Sequence, residues 1–199
     1  QWYSLWTQHT LFAGFFFVPS LLGVLCAYLW RLEHLENNWN ALISRPVPLW
    51  MIFGGKLAVA AALSFLTQAA TGVFYLMSGL YAGFDAPLPP ELPRWLLMGA
   101  CGGVAVCSVQ LFISMAVRSF APPVAVALAG GVAGLAFTSA GLGLIQPYAL
   151  VALGMDANGM GALASEQYAA FFASCAAYTA IPWALATLWL GRRDVTTHS

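Results

Sequence analysis

Residues 57–84 read LAVAAALSFLTQAATGVFYLMSGLYAGF and contain no Asp, Glu, Lys or Arg. A helix needs about 20 predominantly apolar residues to cross the hydrocarbon core of a bilayer. This stretch exceeds that length, so it predicts a membrane-spanning helix. A membrane β-strand would instead alternate polar and apolar positions, and only a helix lets a continuous apolar run satisfy its own backbone groups in lipid.

Four other uncharged stretches are long enough to cross a membrane. They cover residues 1–30, 95–117, 119–155 and 167–191. Only 7% of the 199 residues are charged and 61% are hydrophobic, whereas about 25% of a soluble domain is charged. The chain therefore lacks the side chains to coat a surface in water. We predict an all-α, polytopic transmembrane helical bundle that forms one domain over residues 1–199.

Charged residues and prolines divide the chain into five predicted spans. Prolines mark several of the boundaries, because they cannot continue a helix. The predicted spans cover residues 10–30, 48–80, 93–117, 122–145 and 168–190. Trp2, Tyr3 and Trp6 precede the first span, and we expect them in the membrane interface, where aromatic side chains concentrate. We expect the loop 146–167 to form short helices on the outer surface, with a lid over a substrate path as the alternative.

The basic residues predict the orientation of the bundle. Lys and Arg accumulate in short cytoplasmic loops. With five spans, six of the seven basic residues fall on one side, and only Arg94 lies on the other. The six are Arg31, Arg45, Lys56, Arg118, Arg192 and Arg193. We therefore expect the segment after the first span and the C-terminus to be cytoplasmic.

The segment after the first span carries the clearest functional pattern. Residues 32–44 read LEHLENNWNALIS, and their apolar positions recur every three or four residues, which predicts a short amphipathic helix that ends before Pro46. Helices that rest on lipid usually carry Lys and Arg on the polar face. This segment carries Glu33 and Glu36 instead, and acidic groups are unfavourable beside an anionic leaflet. A protein partner under the helix is thus favoured over a lipid surface.

The same region resembles a known family. Residues 36–50 read ENNWNALISRPVPLW, and Lys56 follows Gly55 in the next span. The run is similar to the signature of type-2 ABC exporter permeases, and in particular to the permease subunits of lantibiotic-immunity transporters. Those proteins show an acidic residue, a Trp or Thr, a Leu-rich turn, a Pro-Val pair and a Lys that enters the next span. The matching positions here are Glu36, Trp39, Leu42, Pro46–Val47 and Lys56.

The resemblance implies a permease subunit of a bacterial ABC exporter in the inner membrane, with an antimicrobial peptide as the first cargo to consider. Residues 32–44 would be a coupling helix that docks onto a separate ATPase subunit. The ATPase contacts would be Glu33, Glu36, Trp39, Asn40 and Arg45. Two permeases, like or unlike, would pair in the membrane. The family has six spans, so the resemblance also implies one more span before Gln1.

The resemblance places the chemistry on another chain. This sequence contains no GxxxxGK[ST] phosphate loop, so ATP and Mg²⁺ are expected on the ATPase subunit. We expect no enzyme activity, cofactor or metal in this chain. The net charge of zero gives no basic patch for nucleic acid. Two other functions stay open, a structural subunit of a larger membrane complex and an intramembrane enzyme.

Polar and small residues inside the spans suggest a second candidate site. Ser64, Thr67, Gln68, Thr71, Tyr75 and Ser78 fall on one stripe of the second span. We single out Gln68, Thr71 and Tyr75 as a possible cargo path or a seam between two permeases, with ordinary interhelical hydrogen bonding as the alternative. The pairs Gly99/Gly103 and Gly130/Gly134 predict close helix packing.

Overall fold

The computed structural model describes residues 1–35, 46–159 and 163–192. Within these ranges all regular structure is helical, and five helices are long and apolar enough to cross a membrane. The predicted fold class is therefore confirmed. The long helices are α1 Trp2–His34, α2 Leu49–Tyr81, α3 Leu92–Ala116, α4 Ala121–Ser139 and α6 Tyr168–Gly191, and a short helix, α5 Ala149–Gly154, lies between the last two.

Two spans differ from their predicted bounds, whereas α2, α3 and α6 begin and end within one residue of them. Helix α1 begins at Trp2 rather than at residue 10. Helix α4 ends at Ser139 rather than at residue 145. Gly141 has a φ of +76° just after the end of α4, a left-handed conformation that glycine adopts without steric cost and that commonly ends a helix.

Trp2 and Trp6 of α1 were expected as aromatic side chains facing the membrane interface, but both are buried against other segments of the chain, whereas Tyr3 is 53% exposed. The indole N–H of Trp6 donates to the Met155 carbonyl at 2.8 Å, and its ring stacks on Trp95 at a centroid distance of 5.1 Å. The indole N–H of Trp2 donates to the Ala86 carbonyl at 2.7 Å. A buried indole needs such an acceptor for its N–H group, and here the chain itself supplies it.

Helix α1 is interrupted by a π-helical turn at Ala13–Phe17, between the α-helical parts Trp2–Phe12 and Val18–His34. Pro19 lies two residues after this turn and has no N–H to bond the carbonyl of Phe15 four residues earlier. The Phe15 carbonyl oxygen lies so close to Gly131 of α4 that a Cβ atom on residue 131 would not fit. A proline is a common cause of local irregularity in a helix, and the irregular turn lies just before Pro19.

Helix α3 forms the centre of the bundle and contacts α1, α2, α5 and α6. In its most apolar window 61% of the residues are buried, against 22% in α2 and in α6. Helices α2 and α6 therefore present most of their surface to the surroundings of the bundle. We call the end of the bundle that carries Arg31, Lys56 and Arg118 the inner end, and the end that carries Arg94 the outer end. Both names follow the predicted orientation.

The short helix α5 lies inside the bundle. All six residues of Ala149–Gly154 are buried, so the expectation of surface helices in the loop 146–167 is wrong for this part of it. Backbone atoms of Leu150 lie 2.5 Å from where a Cβ atom of Gly102 would be, which shows how closely α5 approaches α3. Gly102 is ten residues from the outer start of α3, or about 15 Å along the helix. Helix α5 thus enters the outer half of the bundle.

Candidate functional site

An ion pair joins α1 to α2 at the inner end. The Nζ atom of Lys56 lies 2.7 Å from a carboxylate oxygen of Glu33, and the two side chains are only 15% and 18% exposed. Lys56 also donates to the Leu29 carbonyl at 2.6 Å and stands over the Trp30 ring at 4.8 Å. The ammonium group is thus held by α1 from three directions. This joint, Glu33 with Lys56, ties together the two helices that flank residues 36–45.

Four predicted ATPase contacts, Glu36, Trp39, Asn40 and Arg45, lie outside the described residues. The fifth, Glu33, lies in the last turn of α1 and faces Lys56. The amphipathic helix was expected to begin at Leu32, but residues 32–34 continue α1. Leu35 is extended, with φ −88° and ψ 148°, and this backbone geometry interrupts any helix that would run on from α1.

A cavity of about 390 Å³ opens between α1, α3 and α4 at the inner end. Its walls are formed by Ala27, Arg31, His34, Leu35, Ser114, Val117, Arg118, Ser119, Phe120, Ala121 and Pro123. We call it the inner cavity. His34 Nε2 lies 2.9 Å from the Ser114 carbonyl, and the Arg31 guanidinium lies 5.5 Å from the centre of the Phe120 ring. Sequence reasoning missed this cavity because its walls come from segments about 80 residues apart.

Four residues of the polar stripe of α2 face the interior of this chain, whereas Ser78 is exposed. Ser64, Gln68, Thr71 and Tyr75 are between 0% and 8% exposed. The Tyr75 hydroxyl donates to the Trp2 carbonyl at 2.9 Å, and Thr71 donates to the Thr67 carbonyl at 3.0 Å. In this conformation the three candidate path residues therefore contact helices of their own chain.

Gln68 connects the polar stripe to the chain that follows α5. Its Nε2 atom lies 3.4 Å from the Sδ atom of Met155, and its Oε1 atom is buried with no hydrogen-bond partner among the described residues. Gly99 lies beside both side chains. We call α5 together with Met155 the outer plug, because these residues fill the outer half of the bundle next to Gln68.

The predicted glycine pairs do allow close approach, but largely toward the outer plug and its entry segment. Gly99 faces Met155, and Gly134 faces the backbone of Ala149. Gly130 faces the ring of Tyr148, which precedes α5. The small residues of α3 and α4 therefore make room for a segment that the sequence analysis had placed on the surface.

Two charged residues of the outer end, Arg94 and Asp156, line a small cavity of about 20 Å³ together with Tyr168 and apolar residues. Burial raises the pKa of the Asp156 carboxyl, and the positive charge of Arg94 partly opposes this shift. Asp156 has a φ of +49°, and its Oδ1 atom is buried without a hydrogen-bond partner in the described chain. The Tyr3 hydroxyl donates to Glu91 at 2.7 Å and lowers the pKa of that carboxyl.

The four cysteines lie within the spans, and most of them are buried. All four are free thiols, and Cys26, Cys107 and Cys175 are buried. The described residues contain no group of three His, Cys, Asp or Glu side chains that could hold a metal ion. The candidate functional groups are those of the inner cavity, the joint and the outer plug.

Comparison with known protein families identifies a match over much of the chain. A family model described as ABC-2 family transporter protein matches residues 1–134, a range that includes the joint, Gln68 and the inner cavity. No curated protein and no solved structure matches the chain. The matched range ends within α4, before the outer plug and α6.

Proposed function

We propose an exporter role from one premise: the chain belongs to the ABC-2 family of transporter proteins, which makes it a membrane permease of an ABC transporter. In the proposal it sits in the bacterial inner membrane with its C-terminus in the cytoplasm. It moves an amphipathic or hydrophobic cargo outward, and an antimicrobial peptide is the first candidate. ATP is hydrolysed by separate ATPase subunits that bind at the inner end.

The joint between α1 and α2 is the observation that best supports the mechanism. Residues 36–45 connect two helices whose ends are tied by the 2.7 Å contact between Glu33 and Lys56. A partner that pushes on this connection therefore moves both helices together. Rigid-body shifts of this kind are a common way for one subunit to drive another. Trp39 is the proposed anchor, because aromatic residues often dominate interface energy.

The two ends of the bundle suggest how cargo moves. The inner cavity opens at the end where the ATPase would bind, whereas the outer plug fills the bundle beside Gln68. In the proposed cycle the outer plug withdraws, and Gln68, Thr71 and Tyr75 then line the opened path. A ligand or a partner can shift the balance of two such states only if it interacts differently with each, and the ATPases would do so by binding the coupling segment.

A second permease would complete the transporter. Helix α2 exposes large apolar side chains, which include Phe65, Leu66, Phe74, Met77 and Leu80. In the proposed complex a like or unlike permease covers part of this face and lipid covers the rest. Cross-linking of cysteines introduced at Leu66 and Met77 in native membranes would detect the pairing.

Binding of the ATPase provides the main test. We expect Trp39→Ala to weaken the association with the ATPase by about 30-fold, the equivalent of an interface anchor worth about 2 kcal/mol. The matched control is Trp50→Ala, since Trp50 is 49% exposed near the start of α2. Both variants would be co-purified with the ATPase and assayed for ATP hydrolysis and peptide export in proteoliposomes.

Coupled export by Trp39→Ala at the level of the parent would overturn the coupling role. Purification of the chain with other membrane subunits but without a P-loop ATPase would favour the structural-subunit alternative. Turnover of a substrate within the membrane by the chain alone would favour the intramembrane enzyme.

A further inference from the structure

The inner cavity has a charged rim. Arg31 and Arg118 both line it and are exposed, and His34 also lines it, with its Nε2 atom 2.9 Å from the Ser114 carbonyl. Among the described residues that line the cavity there is no Asp or Glu. Among the described residues the one ion pair is Glu33 with Lys56, so neither arginine is neutralised by a carboxylate in that part of the chain. The cavity therefore offers concentrated positive charge to an anion.

The walls below this rim are apolar. Ala27, Val117 and Pro123 line the cavity from three different segments, and the ring of Phe120 lies beside Arg31. The hydroxyl of Ser114 is buried and has no hydrogen-bond partner among the described residues. A cavity with a basic rim, one unpaired hydroxyl and an apolar wall matches an amphipathic ligand that carries an anionic head.

The size and the place of the cavity narrow the class of ligand. Its volume of about 390 Å³ falls within the range of about 300–1,000 Å³ that small-molecule pockets occupy. It lies where α1 and α3 end and α4 begins, which is the level of the lipid headgroups. Basic pockets between membrane helices at the cytoplasmic side are suited to anionic phospholipid headgroups.

We propose that the inner cavity binds the phosphate headgroup of an anionic phospholipid of the inner leaflet, such as phosphatidylglycerol. The phosphate lies between the guanidinium groups of Arg31 and Arg118, because guanidinium groups form paired hydrogen bonds with phosphate oxygens. An acyl chain leaves along the apolar wall formed by Val117 and Phe120. The site rests on the predicted orientation but not on export, since binding requires neither cargo nor ATPase.

Lipid titration of the purified full chain tests the site. The chain in a neutral detergent would be titrated with short-chain phosphatidylglycerol, phosphatidylcholine or glycerol phosphate, and bound lipid would be counted by native mass spectrometry. The variants are Arg31→Gln and Arg118→Gln. The controls are Arg192→Gln, at the inner end but outside the cavity, and Arg94→Gln at the outer end.

We expect phosphatidylglycerol to bind more tightly than phosphatidylcholine, and each cavity variant to lose about fivefold in affinity, as about 1 kcal/mol per basic residue near a membrane surface implies. Both controls should bind like the parent. The loss should shrink at high salt, because exposed charges are screened. Thermal melting without lipid shows whether each variant is folded, and a folded variant with reduced binding supports the site.

Three results would overturn the proposal. Equal binding of phosphatidylcholine would show that the site does not select the net negative charge of the headgroup. A loss in Arg192→Gln as large as that in Arg118→Gln would show a diffuse charge effect. Binding of glycerol phosphate as tight as that of phosphatidylglycerol would show a site for a free phosphate. Failure of export in proteoliposomes with intact lipid binding would count against the exporter role alone.

Discussion

The outer half of the bundle is filled by its own chain, whereas the inner half keeps an open cavity. At the outer end α5 and Met155 are buried, and Trp6 stacks on Trp95. At the inner end a cavity of about 390 Å³ separates helix ends that carry exposed arginines. The same five spans thus pack tightly at one end and loosely at the other.

The difference arises from the chemistry of the two sets of connections. The segment after α4 is apolar, so it gains free energy when it leaves the surface and fills the space between helices. The inner connections carry Arg31, Arg118 and the joint, whose charges must stay near water or near a partner charge. A permease built this way has its packing energy at the outer end and its charged contact groups at the inner end.

The largest expected effect comes from breaking the close packing of the outer half. In Gly102→Ala the new Cβ atom would lie 2.5 Å from backbone atoms of Leu150, so α3 and α5 must move apart. We expect a loss of about 2 kcal/mol in the free energy of unfolding, typical of an overpacked core. Thermal melting and denaturant unfolding in detergent would measure it.

Gly55→Ala is the matched control at the inner end, because no atom lies within 4 Å of its added Cβ atom. Alanine is the better helix former, so this variant should melt at or slightly above the parent temperature. Equal losses in Gly102→Ala and Gly55→Ala would contradict the contrast between the two halves.

A smaller effect is expected from the joint at the inner end. Lys56→Met removes the cation that Glu33 faces at 2.7 Å, and Glu33→Gln removes the anion. A double-mutant cycle of the two variants should give a coupling energy of about 1 kcal/mol, because the pair is shielded but not fully buried. Unfolding of the four proteins in detergent would supply the cycle.

A coupling energy near zero would show that α1 and α2 are not held together by this pair. This result would also count against the proposed mechanism, in which the joint makes the two helices move as one body. The matched control is a second double-mutant cycle at the outer end, with Arg94→Met and Glu91→Gln. Neither of these residues belongs to the joint.

The smallest effect concerns Asp156 in the outer half. Burial raises the pKa of this carboxyl above its ordinary value of 3.8, so the folded state holds the proton more tightly than the unfolded state does. The contribution of Asp156 to stability should therefore be greatest at low pH and fall as the pH rises from about 4 through the raised pKa. Asp156→Asn removes the titration and tolerates the φ of +49°.

Asp156→Asn should accordingly melt above the parent at pH 7 and level with it near pH 3. The shift should be modest, because the carboxyl is only partly shielded from solvent. Thermal melting across this pH range checks the sign, and a parent that gains stability relative to the variant as the pH rises would contradict the burial of Asp156.

The fold was largely predictable from the sequence, because a helix in lipid must satisfy its backbone within one segment. The predicted spans, whose bounds came from charged residues and prolines, therefore located α2, α3 and α6 to within a residue. The joint was only partly foreseen: Lys56 was recognised by resemblance, but its contact with Glu33 depends on how α1 meets α2. The inner cavity was not foreseen, because Arg31 and Arg118 meet only through packing.

The segment around α5 shows where sequence reasoning failed. Its composition is apolar, which fits a surface helix in the membrane interface as well as a buried one. The spaces beside Gly99, Gly102 and Gly134 decided between them, and those spaces exist only once α3 and α4 have packed. For Trp2 and Trp6 the same uncertainty held, since an aromatic side chain suits an interface and a core alike.

The sequence by itself determined that this chain crosses the membrane as helices, where three of the five spans begin and end, and which end carries the positive charge, because these follow from local composition and the thickness of the bilayer. The tertiary structure alone decided that the outer half is filled by α5, that Gln68 faces Met155 and that two arginines border one cavity. Each of these depends on contacts between segments that are distant in the sequence. The free energy of such contacts cannot be read from a local sequence pattern.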